Sequence, residues 1–231
     1  MIEYVKSGEG WLTRNLPSDG ERNFTACPEV EARAKETQAF GDRPLWEGYR
    51  GVQQYPTSTV GVRSSNQVRT PAVNGTLFAW LAEQRAPDIV VEFGTAFGVS
   101  GMYWLTGLKR AGGGWLFTYE PNTDWSAIAD ASLAAISPDY TLTEGMFEDN
   151  AAATLAPASC DIAFIDAIHT SDFVLRQWQV LTPFMRPGGL VLFDDIGFSK
   201  DMAQCWDSLA AMPEAKASLR FGNRLGIVEL A

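Results

Sequence analysis

A single stretch, IVVEFGTAFGVS at residues 89–100, predicts the architecture of the chain. Apolar, β-branched residues lead into Glu92, two glycines follow at Gly94 and Gly98, and a helix-forming run begins near Ser100. This order is typical of a strand, a tight glycine turn and a helix. Glycine lets the backbone approach a ligand closely, and a carboxylate at a strand end can accept hydrogen bonds from it. We therefore predict a nucleotide-binding βα unit.

The spacing of the two glycines narrows the ligand class. A dinucleotide fingerprint requires G-x-G-x-x-G, but Ala96 stands where its second glycine would be. The observed pattern, E-x-G-x-x-x-G-x-S, instead resembles motif I of the class I S-adenosylmethionine (SAM) methyltransferases. The resemblance implies SAM contacts by Glu92, Gly94, Thr95, Gly98 and Ser100. An ordinary βα turn and a degenerate dinucleotide site are the alternatives.

Composition limits the classes of partner. With 18 Lys and Arg against 28 Asp and Glu, the net charge is −10, and no basic run occurs. This balance argues against nucleic acid or an anionic membrane and favours a small-molecule substrate. Three cysteines without a C-x-x-C pair predict reduced thiols and a cytoplasmic location. Without an apolar leader or an 18-residue apolar stretch, neither secretion nor membrane spanning is expected.

Two further strands are predicted to complete a nucleoside site. The run WLFTYE at 115–120 again ends in an acid, Glu120, about one βα repeat after Glu92. A carboxylate there can accept hydrogen bonds from both ribose hydroxyls, although a solvated strand-end Glu would give the same pattern. At the end of the third predicted strand, Tyr140 to Phe147, Met146 and Phe147 are predicted to contact adenine, with plain core packing as a nearly equal alternative.

The fourth and fifth predicted strands also end in acids. The run DIAFID ends at Asp166, and LVLFDD ends in Asp194 and Asp195. In a doubly wound sheet the carboxyl ends of these strands meet at one edge. Solvation alone could hold such acids, but clustered carboxylates suit a hard cation such as Mg²⁺, which would neutralise them and orient a substrate oxygen.

From Val68 onward the order of elements resembles the metal-dependent O-methyltransferases of the catechol and caffeoyl-CoA type, and cephalosporin-hydroxylase-like relatives. The matching sequence motifs are EFG at 92–94 with Gly98 and Ser100, then YE at 119–120, FIDAIH at 164–169, RPGG at 186–189 and FDD at 193–195. The resemblance implies a divalent cation on Asp166, Asp194 and Asp195. It also implies a base at the position of His169, where the family commonly has Lys.

Residues 1–62 match nothing in that family. Rich in Gly, Pro and charge, they are predicted to be an appendage, either a dimer arm or a lid carrying Trp46 and Tyr49. Residues 63–231 are predicted to form the SAM-dependent methyltransferase domain. A C-terminal pair of strands joined by Gly222, Asn223 and Arg224 is expected to form a hairpin that closes the sheet.

These observations lead to one functional hypothesis. We predict a doubly wound, Rossmann-like α/β sheet of about seven strands, mostly parallel with an antiparallel C-terminal strand. The expected activity is SAM-dependent O-methylation of a small hydroxylated acceptor, assisted by Mg²⁺, with His169 and Asp166 catalytic and Asp166 also near the cofactor. A homodimer is compatible with the dimer-arm interpretation. The alternatives are a metal-independent methyltransferase, an NAD-type oxidoreductase and a non-catalytic SAM-binding protein.

Overall fold

A computed structural model describes residues 2–18, 24–46, 61–166 and 168–231. The chain divides into two compact units. The first unit comprises Met1–Asn23, Pro87–Phe93 and Glu148–Ala231, and the second comprises Phe24–Ala86 and Gly94–Phe147. Within the described residues, no helix has both the length and the apolar character that crossing a bilayer requires.

The secondary structure alternates along most of the chain. The strands are β1 (Ile2–Ser7), β2 (Arg43–Pro44), β3 (Val62–Arg63), β4 (Ile89–Phe93), β5 (Trp115–Glu120), β6 (Tyr140–Glu144), β7 (Cys160–Ile165), β8 (Met185–Phe193), β9 (Ala215–Phe221) and β10 (Leu225–Leu230). The helices are α1 (Trp11–Asn15), α2 (Pro28–Thr37), α3 (Ser65–Val68), α4 (Ala72–Arg85), α5 (Val99–Ala111), α6 (Thr123–Ala134), α7 (Phe147–Thr154), α8 (Ser171–Leu181) and α9 (Lys200–Ala211).

The first unit contains the strand order β1-β9-β10-β8-β7-β4. Strands β4, β7 and β8 are parallel, whereas β10 runs antiparallel to both β8 and β9. The parallel strands consist of nearly continuous apolar residues, as expected for strands that are covered on both faces. Beyond their ends, Asp166 N–H donates to Phe93 O at 3.1 Å and Asp194 N–H donates to Ile165 O at 3.0 Å. The acids that follow β7 and β8 therefore lie at one edge of the sheet.

The first part of the N-terminal segment, which contains β1 and α1, belongs to the first unit. Strand β1 pairs antiparallel with β9, with an irregularity between Tyr4 and Lys6 that leaves Val5 45% exposed. The first turn of α1 is held by Glu229 of β10, whose carboxylate accepts the N–H groups of Trp11 and Leu12 at 2.8 and 2.7 Å. These contacts tie the first described residues to the last strand.

The second unit contains β5 paired in parallel with β6, together with α2 to α6. Its core lies where α4 packs on α5, and the rings of Phe78 and Trp104 stack there with centroids 4.6 Å apart. Both helices end in a left-handed residue, Ala86 after α4 and Gly112 after α5, which directs the chain into the following strand.

The predicted fold class is confirmed with one addition. Among the described residues, the first unit contains six strands of a mixed sheet, in which the antiparallel C-terminal strand is present as β10, and the second unit contains the parallel strands β5 and β6. The additional strand is β1, from the segment predicted to be an appendage. The predicted boundary at residue 62 does not coincide with the two units, because the segment contributes β1 to the first and α2 to the second. The lid residue Tyr49 lies outside the described residues.

The three thiols match the expectation of reduced core cysteines. Cys27, Cys160 and Cys205 are free and buried. Burial raises the pKa of the Cys160 thiol to about 11, and it does the same for Cys205. These side chains are therefore inert, protonated parts of the core at neutral pH.

Candidate active site

The glycine turn after β4 belongs to the second unit and has an unusual backbone. Gly94, Ala96 and Gly98 all have positive φ angles, of 90°, 48° and 85°. A Cβ on Gly98 would lie 3.1 Å from Ala129 Cα, so α6 approaches the turn closely. A left-handed alanine costs about 1 kcal/mol or more relative to its ordinary conformation. The turn therefore needs compensating contacts.

Glu120 supplies one of those contacts. Its Oε2 accepts the Ala96 N–H at 2.8 Å, and its Oε1 accepts the Asn122 N–H at 2.9 Å. The residue is only 5% exposed. Gly94 N–H and Thr95 N–H also donate to Tyr119 O, at 3.1 and 3.2 Å. The predicted ribose-binding acid and the predicted glycine turn are thus joined directly.

The other cofactor residues predicted in this unit have different environments. Thr95 is buried, and its hydroxyl lies 2.5 Å from that of Thr118. Ser100 is buried in the first turn of α5, and Met146 is half-buried. Phe147 is 2% exposed and packs edge-on against Tyr119. Its burial agrees with the core-packing alternative, and the adenine contact stays a prediction.

Sequence reasoning missed Asn122 in this region. Its side chain caps α6 by accepting the Asp124 N–H at 3.1 Å, and its Nδ2 donates to Pro44 O at 2.8 Å. Asn two residues beyond a strand and directly before a helical run is a typical N-cap signal, so the capping role was detectable. The contact with Pro44 was not, because it joins distant parts of the sequence.

The first unit holds the other predicted site residues, with Asp166, Asp194 and Asp195 forming what we call the acid cluster. Glu92 is fully buried on β4, and Asp194 is 3% exposed. Burial, and after it the neighbouring Asp194, raises the pKa of Asp166 well above its usual range. The same two causes raise the pKa of Asp195. The acid cluster thus favours retention of a proton.

Arg224, which the sequence analysis placed only in the hairpin turn, is the cation of this cluster. Its Nε lies 2.9 and 3.0 Å from the two carboxylate oxygens of Asp194, and its Nη2 lies 2.5 Å from Oδ2. Its Nε is also 3.2 Å from Asp195 Oδ1. Hydrogen bonding to Asp194 raises the Arg224 pKa further, so the guanidinium stays charged. Antiparallel pairing of β10 with β8 gives Gly226 the partner Phe193, which puts Arg224 opposite the acids that follow.

His169 lies beside the acid cluster. Its Nε2 is 3.4 Å from Asp195 Oδ2 and 3.7 Å from Asp166 Oδ1. Burial lowers the pKa of His169, and Asp195 opposes that effect. The imidazole is therefore neutral at neutral pH and able to accept a proton. The ring of Phe198 lies 5.7 Å from the His169 ring, measured between centroids, and Phe198 is 55% exposed.

The predicted magnesium site is not confirmed. Among residues 2–18, 24–46, 61–166 and 168–231, no three His, Cys, Asp or Glu side chains converge as a metal-ligand set. Mg²⁺ requires oxygen ligands in near-octahedral order at about 2.0 to 2.1 Å. Both carboxylate oxygens of Asp194 instead face Arg224. As arranged, the acid cluster does not fit the metal.

The sequence is similar to those of known methyltransferases. A methyltransferase-domain family model matches residues 91–196, from within β4 to just beyond β8. A relative from Mycolicibacterium vanbaalenii, named "Putative O-methyltransferase", is 33% identical over 161 residues, which cover 68% of this chain and 69% of that protein. The chain therefore belongs to this O-methyltransferase family.

Other relatives match a shorter region. The protein of the same name from Mycobacteroides abscessus is 35% identical over 125 residues, or 53% of this chain and 56% of the relative. That from Mycobacterium avium is 32% identical over 127 residues, or 53% and 54%. The chain thus spans about half the length of these curated relatives.

Solved structures agree on the fold. The O-methyltransferase TomG of Streptomyces achromogenes, involved in tomaymycin synthesis and solved with SAM, has a TM-score of 0.63 at 17% identity, with 96% of this chain and 94% of that chain covered. An O-methyltransferase of Bacillus cereus, solved with S-adenosylhomocysteine, has a TM-score of 0.63 at 15% identity, with 96% of each chain covered. At these identities the likeness concerns the fold.

Proposed function

We propose that the chain transfers a methyl group from SAM to a hydroxyl oxygen of a small molecule. The observation that carries the proposal is the hydrogen bond between Glu120, the predicted ribose-binding acid, and Ala96 in the left-handed glycine turn of the motif I pattern. Membership of the O-methyltransferase family supports the reaction class. SAM bound to one structural relative and S-adenosylhomocysteine bound to another support the cofactor.

The residues of the second unit fit a nucleoside. Each Glu120 oxygen accepts one backbone N–H, and an ionised carboxylate offers about four acceptor positions. A carboxylate at this position can accept hydrogen bonds from ribose hydroxyls. The glycines at 94 and 98 keep side chains away from the turn, which allows a ligand to approach the backbone. Bound SAM supplies an electrophilic methyl carbon.

The residues of the first unit fit activation of an acceptor hydroxyl. The neutral His169 imidazole accepts the hydroxyl proton, and Asp195 at 3.4 Å stabilises the resulting imidazolium. No metal enters this scheme, because Arg224 already balances Asp194 and Asp195. We therefore favour the metal-independent alternative over Mg²⁺ assistance.

The acceptor is proposed to be a hydroxylated small molecule with an apolar or aromatic body. Phe198 presents a largely exposed ring beside His169, where such a body would gain contact area. The acidic net charge of the chain favours a neutral or cationic acceptor over a polyanion. The homodimer stays a prediction, to be checked by sedimentation.

Calorimetric titration with SAM and S-adenosylhomocysteine tests the cofactor. We expect Glu120→Gln to weaken binding by about 1.5 to 3 kcal/mol, because a charge-assisted acceptor is lost. Glu144→Gln is the matched control, since Glu144 ends the neighbouring strand β6 but is exposed. Equal affinity in wild type and Glu120→Gln would remove Glu120 from the site. Binding of NAD in place of SAM would instead favour an oxidoreductase.

A further inference from the structure

The hairpin between β9 and β10 holds Arg224 against the chain that follows β8. Ile196 N–H donates to Arg224 O at 2.9 Å, so the backbone of Arg224 is fixed as well as its side chain. A Cβ on Gly197 would lie 2.5 Å from Asn223 O, which shows how closely the two segments approach. Arg224 is therefore a built part of the cluster and not a surface side chain that happens to reach it.

The loop it contacts is conformationally unusual. Asp195 has a positive φ of 49°, rare for a residue with a side chain although Asp tolerates it better than most. Two contacts offset the cost of this conformation. The Phe198 N–H donates to Asp195 O at 2.9 Å, and Arg224 contacts the loop. Contacts on both sides of the loop thus aim Asp195 Oδ2 toward His169 while Oδ1 faces the guanidinium.

The charges of Asp194, Asp195 and Arg224 explain why these groups lie together. Asp194 is almost wholly buried and would be strongly destabilising if it were ionised without a partner. A planar guanidinium matches a carboxylate through parallel N–H groups and cannot be deprotonated in a protein. It donates to both Asp194 oxygens and lies 3.2 Å from one Asp195 oxygen, and so occupies positions that a divalent ion would need.

We propose that Arg224 is the resident cation of the acid cluster and takes the place that a divalent metal would hold there, so that the cluster excludes Mg²⁺. Arg224 is then a positioning residue, which acts on His169 through Asp195. The inference deepens the proposed function by naming the cation at that site. It concerns metal binding and stability, which are measured without substrate.

The test uses Mn²⁺ as a paramagnetic probe, with free ion measured by electron paramagnetic resonance. We expect wild type to bind no stoichiometric Mn²⁺ up to about 1 mM, and Arg224→Gln to gain a site with at least tenfold higher affinity, because three oxygen donors lose their cation. Arg220→Gln is the matched control, because Arg220 lies on strand β9 of the same hairpin but pairs with the exposed Asp207. It should behave as wild type.

Thermal unfolding provides a second readout. We expect the wild-type midpoint to change by no more than about 1 °C between EDTA and excess Mg²⁺. Arg224→Gln should unfold at a lower temperature in EDTA and recover at least about 3 °C with Mg²⁺. Should Arg224→Gln fail to fold, Arg224→Lys keeps the charge and should still exclude Mn²⁺.

Two results would overturn the proposal. One is tight stoichiometric Mn²⁺ binding by wild type, with a lower unfolding midpoint in EDTA. The other is an Arg224→Gln protein that folds and excludes Mn²⁺ as wild type does. SAM titration of the same preparations tests the proposed methyltransferase function separately from the role of Arg224. A wild-type protein that does not bind SAM contradicts the proposed function but leaves the Mn²⁺ result unchanged.

Discussion

Glu120 and Asp194 are both acids at the ends of parallel strands, yet their surroundings differ. Glu120 accepts two backbone N–H groups, which are neutral donors. Asp194 faces a guanidinium on both oxygens and is neutralised by it. A strand-end carboxylate is therefore a proposed ligand-binding group in one setting and part of an internal charge network in the other. The hydrogen-bonding partner decides between these two roles. For Asp194 that partner is Arg224, which is 30 positions away in sequence.

The largest effect is expected at His169, the proposed general base. His169→Ala should lower kcat by about 100 to 10,000 fold if His169 is the general base. Turnover is measured as S-adenosylhomocysteine release with the best acceptor from a panel of phenols and alcohols. Burial lowers the pKa of His169, so the wild-type rate should fall as pH drops through a value below about 6.5, where the base becomes protonated.

That acid limb should disappear in His169→Ala. A variant with an unaltered rate and pH profile would show that His169 only orients Asp195 or packs beside Phe198. Glu120→Gln is the contrasting variant, because it should weaken SAM binding without moving the limb.

The next largest effect is expected at Arg224, the cationic partner of Asp194, because Glu120 has backbone amides in its place. Arg224→Ala should lower the free energy of unfolding by about 2 to 4 kcal/mol, less than a wholly buried pair because the Arg224 side chain is 38% exposed. Asp194→Ala should cost less, since the freed guanidinium can turn to solvent. Urea unfolding of both variants and the double variant gives the coupling energy, expected at about 1 to 3 kcal/mol. Additive effects would mean that the two groups are independent.

The smallest effect concerns Asp166, whose raised pKa marks a charge that the fold disfavours. A carboxyl with a raised folded-state pKa contributes stability below its unfolded pKa of about 3.9, and that contribution is lost as pH rises through the folded value. Asp166→Asn, which stays neutral, should therefore be more stable than wild type by about 1 kcal/mol in alkaline buffer, with little gain near pH 4. Denaturation at several pH values checks this. A gain that is independent of pH would point to packing instead.

The strands, the glycine turn and the C-terminal hairpin were predictable because their signals are local. Apolar runs that end in acids define β4, β5, β7 and β8, and two glycines with a helical run define the turn before α5. The Glu120 contact with Ala96 also follows from one βα repeat bringing successive strand ends to the same edge.

Arg224 and β1 were not predictable in this way. The role of Arg224 depends on the register in which β10 pairs with β8, a contact between residues 30 positions apart in sequence. Six residues such as IEYVKS carry too little pattern to show that they join a sheet whose other strands begin more than eighty positions later. The magnesium prediction is not confirmed for a related reason, because the acids are recognisable from local sequence whereas the contact of Arg224 with them is not.

The irregular β1 strand has a consequence for assembly. It forms the outer edge of the sheet, is only six residues long, shifts register at Val5 and carries Glu3 and Lys6. Short, charged and bulged edges are poor templates for strand-to-strand pairing between molecules. A deletion of the first sixty residues would remove β1 and expose the edge of the seven-residue strand β9 to pairing between molecules. Point substitutions at Trp46 leave the edge intact.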